Sequence, residues 1–563
     1  MPNFSFKVIP WCKHNLSSSN MENDFILESD GWNDYDFFTT YHLHIGANIL
    51  GENESDYLGY IKILKKGQKK IQSDLIPNSF NRLGTDFCSF SASLDLFEKI
   101  NRHLDKEQRI ELMIALRNIV YDKDIIDEFK DEAGFYDSLL RDTDLNNDVF
   151  KLAPIYIQEE SKLLTDINET VVIKLNNFQN ELKLNFGSKF SESYNDIPDR
   201  VNVLIGRNGC GKSTILYKIC KLLYASSDQR AKHKDKIGSI FPSGIGFTKI
   251  ICISYSPFDS FQMPGFSYLD KKKLCKEIEN KDGRFIYCGI RDIATEIRSY
   301  IEKDDYSRKK DNFDLSYQFE DVFFEERTDT TLLKSITALG IEFTDAYFKI
   351  KDNQEKTKLF EDCLDMLKLE PSLNEFLAEL KSFEIINKEE ITSFFNKLST
   401  GHKFVIHSIT NIIYHIKPWS IILFDEPENH LHPPLLAILM KTIRMILSKN
   451  MSVMIIGTHS PVVLQETIYK NVTILRRDGD VVSVDNPTLQ TFGENTGLIT
   501  SQIFDLTSNI TDYHDVYDSL LKQIYYKKWS YDDAFSIIEE CLGGQLSNQS
   551  YFYLKNKINS KKE

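Results

Sequence analysis

Residues 201–214 read VNVLIGRNGCGKST. A mostly apolar run, which reads as a strand, passes straight into a glycine-rich loop and then into a lysine and two hydroxyl residues. Gly206, Gly211, Lys212 and Ser213 fit G-x-x-x-x-G-K-[ST], a phosphate-binding loop. Asn208 and Gly209 lie inside that loop, where backbone N–H groups can wrap an anion. Lys212 would bring a cation to the terminal phosphates, and Ser213 would offer a hydroxyl to Mg²⁺. Thr214 completes the motif. Ile215, Leu216, Ile219, Leu222 and Leu223 then recur on one helical face, so the positive end of that helix points at the anion. The expected ligand is ATP with Mg²⁺.

A second stretch, SIILFDEPENHLHPPL at 420–435, poses a choice between a metal site and a nucleotide site. An apolar strand ends in Asp425 and Glu426, about 210 residues after the loop. A Mg²⁺-ATP site needs such a pair: Asp425 to hold the ion, Glu426 to orient and polarise the attacking water. His430 and His432 are two residues apart and do not form HExxH, and HPP reads as a helix start with Pro433 in the first turn. His459 ends another strand, SVMIIGTHSP, and is expected to sense the terminal phosphate. In open parallel sheets ligands sit at the carboxyl ends of strands, which would bring Gly206, Asp425 and His459 to one edge.

The chain has 563 residues, too many for one hydrophobic core, so two or three structural units are expected. No apolar run is long enough to span a bilayer, and MPNFSFKVIPWCKHN lacks the pattern of a signal peptide. The nine cysteines contain no CxxC pair, which suits reduced thiols in a cytoplasm rather than a zinc or disulfide framework. A net charge of −15 excludes a surface that coats DNA as a whole. Nucleic acid would have to use local basic patches: KKGQKK (65–70), RAKHKDK (230–236), DKKKLCK (270–276) or SRKK (307–310).

The fold class expected is α/β. Residues 24–64 read as strands, 104–130 as a helix with Ile110, Met113, Ile114 and Ile119 on one face, and 170–175 with 181–186 as a strand pair. Between 263 and 395 the sequence turns charged and helical, without the sustained heptads of a long coiled coil. The segment 396–418, NKLSTGHKFVIHSITNIIYHIKP, reads as a helix capped by Ser399 and stopped by Pro418.

LSTGHK, lying just ahead of IILFDEP, resembles the ABC signature LSGGQ. With GRNGCGKS, DEPENHLHP and THSP, the chain resembles the head of an SMC/RecF-type ABC ATPase, not a transporter subunit. The resemblance implies a homodimer or higher homo-oligomer. Lys212, Ser213, Asp425, Glu426 and His459 of one subunit would face Ser399 and Gly401 of another across ATP. Gln262 stands where the Q-loop glutamine would reach the metal. The implied architecture is a P-loop head with a mixed sheet, divided into an N-terminal α+β extension (1–160), a first head segment (161–262), a short helical insertion (263–395), a second head segment (396–490) and a C-terminal helical tail (491–563). More narrowly, the N-terminal layout and GENTGLITSQIFDL at 493–506 look like the PtuA ATPases of Septu-type antiphage systems. That likeness implies an HNH nuclease partner and, in retron-associated versions, a reverse transcriptase with its RNA and DNA.

Two other readings compete. One is a RecF- or SMC-like ATPase that clamps DNA in repair or chromosome maintenance. The other is an OLD-type nuclease with its own metal site. Asp478 and Asp480 supply a D-x-D, but RRDGDVV lies between two apolar runs and reads as a hairpin with a D-G turn.

Overall fold

The computed structural model describes residues 4–12, 16, 22–31, 35–51, 55–73, 75–159, 167–188, 197–257, 261–266, 268–299, 302, 331–374, 377–378, 380, 387–503, 512–526 and 531–559. Two compact units divide the chain, Met1–Gly493 and Glu494–Glu563.

A seven-stranded sheet organises the first unit. Its order across the sheet is Phe285–Gly289, Ile250–Ser254, Ile421–Asp425, Val453–Thr458, Val201–Ile205, Val472–Asp478, Val481–Asp485. Every pairing is parallel except the last, which is antiparallel. The sheet is therefore mixed. Five of these strands are buried along their whole length, which is why they read as unbroken apolar runs rather than alternating ones. The helix Lys212–Tyr224 buries Ile215, Leu216, Ile219, Leu222 and Leu223, as its spacing predicts.

The N-terminal region forms a second, six-stranded sheet in the order Ser79–Phe80, Phe6–Ile9, Phe25–Ser29, Thr40–Ile45, Asp56–Lys65, Phe87–Phe90. One hydrophobic cluster runs from Phe25 and Leu27 there to Leu204, Leu423 and Ile455 in the larger sheet. Polar ties reinforce it. Glu98 Oε1 lies 3.1 Å from Lys249 Nζ, Arg284 Nε donates to Asp95 at 2.6 Å, and the Tyr156 hydroxyl donates to the Thr248 carbonyl. Burial alone would raise the Glu98 carboxyl, but Lys249 and Arg102 outweigh it and hold it at about 2.

Two sequence expectations change. The stretch 104–130 is not one helix: Lys106–Ala115 ends at a Leu116 cap, Arg117 has φ +47, and a separate helix spans Asp124–Phe129. Ile119 leaves the helical face and its N–H bonds to the Ser89 carbonyl. The stretch 263–395 is not wholly helical. Phe285–Gly289 lies beside Ile250–Ser254 as an edge strand of the seven-stranded sheet. Its five residues FIYCG are too short to register against the charged helical sequence around them. Helices of the described part of this stretch include Tyr268–Glu279, Ile336–Lys351, Gln354–Leu367 and Lys388–Lys397, with Phe343 stacked on Phe395 at 4.8 Å.

In the second unit, the helices Asp512–Tyr526, Tyr531–Cys541 and Asn548–Asn559 enclose Tyr517, Leu521, Ile538, Leu554 and Ile558. No helix among the described residues is long and apolar enough to cross a membrane.

Candidate functional site

Strand register brings the motifs together. Asp425 pairs with Ser254 on one side and Gly457 on the other, and Thr458 pairs with Ile205. The loop after Ile205, the acidic strand end and His459 therefore leave the same sheet edge. Gly209 and Gly211 sit at φ +83 and +93, where a side chain would strain the backbone. Gly206 is held for another reason: a Cβ there would come within 2.5 Å of the Leu475 carbonyl oxygen. Asn208 and Gly209 are exposed, Ser213 is half-buried, Thr214 is exposed and Lys212 is buried.

Lys212 Nζ donates to the Gly206 carbonyl at 3.1 Å and lies 3.1 Å from Glu426 Oε1. The other oxygen of Glu426 bonds to His459 Nδ1. Glu426 adopts φ +48, and its N–H donates to the Gly457 carbonyl at 2.7 Å. A strained residue pinned by its neighbour strand is a frequent feature of functional sites. Burial would raise the Glu426 carboxyl, but the His459 hydrogen bond and the Lys212 charge hold it below the usual range. His459 is raised, first by its bond to Glu426.

Sequence reasoning missed Glu428. Its Oε1 accepts from the Thr458 hydroxyl at 2.6 Å and the His459 N–H at 2.7 Å, and lies 3.1 Å from His459 Nδ1. Its Oε2 is buried with no hydrogen-bond partner. Burial first and the charge of Glu426 second push its carboxyl above the usual range. The signal was in the sequence as the second acid of DEPE, but nothing local tied it to residues thirty positions away. Glu426, Glu428 and His459 place ligating atoms within 4.8 Å of one another.

The fit to Mg²⁺ rests on the other donors. Asp425 is buried, with Oδ1 close enough that a Cβ on Gly457 would meet it at 3.0 Å. Gln262 lies beyond the strand Ile250–Ser254, with its Oε1 buried and no hydrogen-bond partner. With the Ser213 hydroxyl, this is an all-oxygen set, the chemistry that suits a hard divalent cation. No hydrogen bond joins Gln262 to Lys212, Glu426 or His459 among the described residues.

Ser399 caps the helix Thr400–His415, its hydroxyl accepting from the His402 N–H at 3.3 Å. Ser399 and Thr400 are exposed and Gly401 is half-buried. A Cβ on Gly401 would approach the His430 carbonyl oxygen to 2.9 Å, so this glycine lets the helix start pack against the loop after Glu426. His432 caps the helix Pro433–Lys449 by accepting from the Leu435 N–H. His430 sits in that loop at φ +67.

A buried polar chain links the two sides. The Tyr255 hydroxyl, just past the strand that leads to Gln262, lies 2.5 Å from His407 Nδ1 on the helix Thr400–His415. His407 Nε2 lies 3.4 Å from Glu342, which pairs with Lys334 at 2.9 Å.

The basic patches hold fewer solvent-facing cations than their letters promise. Arg230 is buried and donates to the carbonyls of Leu222, Ser243 and Ile245, and Lys271 is buried. Lys232, Lys234 and Lys236 are exposed. The patch at 307–310 lies outside the described residues. Asp478 and Asp480 flank Gly479 at φ +58 between antiparallel strands, a hairpin turn.

Residues 268–465 match a family model described as "AAA domain, putative AbiEii toxin, Type IV TA system". The chain is 27% identical over 565 residues to protein ea59 of Escherichia phage lambda, covering 96% of each. It is 26% identical over 342 residues to the Septu protein PtuA of Bacillus thuringiensis, covering 54% of this chain and 74% of PtuA. A solved SMC head bound to the C-terminal winged-helix domain of ScpA shares 14% identity at a TM-score of 0.22, over 57% of this chain and 97% of that one. Sheet order and the strand ends that carry the motifs describe a P-loop α/β fold, and the chain is similar to the AAA-domain family over residues 268–465 and weakly similar to PtuA.

Proposed function

We propose that the chain binds Mg²⁺-ATP, pairs with a second copy across it and hydrolyses it slowly, as the regulatory ATPase of an antiphage defence complex that controls a separate HNH-type nuclease. The observation that carries the reading is the Lys212–Glu426–His459 chain at the sheet edge where the phosphate loop also ends. Lys212 would hold the terminal phosphates in competition with Glu426. Freed from Lys212, Glu426 would take the proton of the attacking water, with His459 fixing its orientation. Ser213, Asp425 and Gln262 would hold Mg²⁺, which when bound neutralises phosphate charge. Ser399 and Gly401 of a second copy would close the site.

The defence role is supported by the similarity to a Septu protein over 54% of this chain. The N-terminal sheet and the helices 336–397 are then surfaces where a nuclease could dock and respond to head pairing. A reverse transcriptase with its RNA and DNA would be a further partner in a retron setting, with nucleic acid contacting exposed cations such as Lys232, Lys234 and Lys236. This work would take place in a cytoplasm, which suits nine cysteines without a CxxC pair. Native purification of the complex, with its proteins and nucleic acids identified, is the test. A co-purifying nuclease whose cutting follows nucleotide state supports the proposal. Duplex DNA without any nuclease would favour a DNA-clamping ATPase. Cutting by the isolated chain that disappears in Asp478→Ala would favour a built-in nuclease.

A further inference from the structure

Two hydrogen bonds and one ion-pair contact converge on one carboxylate that the hydrolysis scheme above does not use. Glu428 Oε1 receives the Thr458 hydroxyl at 2.6 Å and the His459 N–H at 2.7 Å, and sits 3.1 Å from His459 Nδ1. Thr458 Oγ1 in turn accepts from the Ser460 N–H at 2.9 Å. The turn 458–460 is thus held through two of its backbone N–H groups, one directly and one through the Thr458 hydroxyl. Without Glu428, the exposed His459 ring would be fixed only by its bond to Glu426.

We infer that Glu428 is a positioning residue for ATP hydrolysis: it clamps the Thr458–Ser460 turn so that His459 Nδ1 meets Glu426 at the phosphate edge. The inference rests on the ATPase reading above. It requires an acceptor at the reach of Oε1, and the negative charge of the group is secondary. Glu428 itself touches neither Lys212 nor the phosphate loop in any described contact, so its action passes through His459 and Glu426. Displacement of a reacting group by about 1 Å can cost about 100-fold in rate.

Two substitutions separate reach from charge. Glu428→Gln keeps an acceptor oxygen at the same reach and loses the charge. Glu428→Asp keeps the charge and withdraws the acceptor by one methylene. The prediction is that Glu428→Asp lowers kcat by about 100-fold, while Glu428→Gln recovers most of that loss and stays within roughly threefold to tenfold of wild type. KM for ATP should change little in either, since neither variant touches the phosphate loop. Hydrogen exchange of the full chain without nucleotide gives a readout independent of turnover: amides of 458–460 should exchange faster in Glu428→Asp than in wild type or Glu428→Gln. Equal turnover and equal exchange in all three proteins would overturn the clamp. A Glu428→Gln protein as slow as Glu428→Asp, with normal exchange, would overturn it in favour of proton transfer by Glu428. If wild type turns over no ATP, the ATPase reading fails, and the exchange comparison alone decides whether the clamp exists.

Discussion

At the Lys212 edge of the sheet the charged side chains are satisfied by their own chain: Lys212 by Glu426, Glu426 by His459, and His459 by Glu428 as well. At the start of the helix Thr400–His415 the arrangement is different. Ser399 and Thr400 face solvent, and the cap is a side-chain oxygen on the His402 N–H. The first region is preorganised by pairing, so under the proposed function it would bind a nucleotide by releasing the Lys212–Glu426 ion pair. The second contributes only when something is brought to it. A site divided in this way suits an ATPase whose turnover depends on assembly. A Tyr255–His407–Glu342 chain ties the end of the strand Ile250–Ser254 to the middle of the helix Thr400–His415 and on to the helix Ile336–Lys351.

The largest expected effect tests the self-paired region. Glu426→Gln should keep ATP binding and lower kcat by about 10²- to 10⁴-fold, the usual contribution of a general base. ATP-bound pairs of the chain should accumulate, and light scattering with and without ATP reads them. A mutant that hydrolyses at the wild-type rate would refute the role given to Glu426.

Next comes Lys212→Ala. Removing the fixed cation at the terminal phosphates should weaken ATP binding by about 100-fold, near the upper range for a hydrogen bond to a charged group. Titration with a fluorescent ATP analogue measures it, and near-normal affinity would break the assignment of this loop.

The exposed region is sharpened by Ser399→Arg. This change should leave nucleotide binding intact, since the Lys212 edge is untouched, and weaken ATP-dependent pairing by about tenfold or more through a bulky, unmatched charge at the interface. Pairing that survives unchanged would show that Ser399 does not face the second copy.

The smallest effect concerns the Tyr255–His407–Glu342 chain. Burial would raise Glu342, but the His407 hydrogen bond and Lys334 outweigh it and hold the carboxyl at about 2. A folded-state pKa below the unfolded value stabilises the fold above about pH 4.5, and that contribution fades as pH falls toward 2. Glu342 is partly exposed, so its share is about 1–2 kcal/mol. Urea titrations at pH 5 and pH 3 should therefore show a larger acid loss in wild type than in Glu342→Gln. Equal losses would mean that the link is not an ionised one.

The sequence by itself determined the parts whose geometry is local. Two glycines at positive φ, a lysine and a hydroxyl specify an anion loop wherever the strand before them lies. A serine three residues ahead of an N–H specifies a cap. Apolar runs that end in an acid or a histidine specify buried parallel strands with polar tips. The tertiary structure alone decided what those tips touch. Glu428 reads as an ordinary loop acid until the sheet carries Thr458 and His459 beside it. Arg230 reads as part of a basic patch until its guanidinium turns inward to three carbonyls. Phe285–Gly289 reads as a short apolar interruption until Ile250–Ser254 offers it an edge. In each case the deciding partner lies at least eight residues away, and for Glu428 and Phe285–Gly289 it lies thirty or more. Side-chain pairing across such separations depends on the packing of the whole sheet, which no short stretch of sequence encodes.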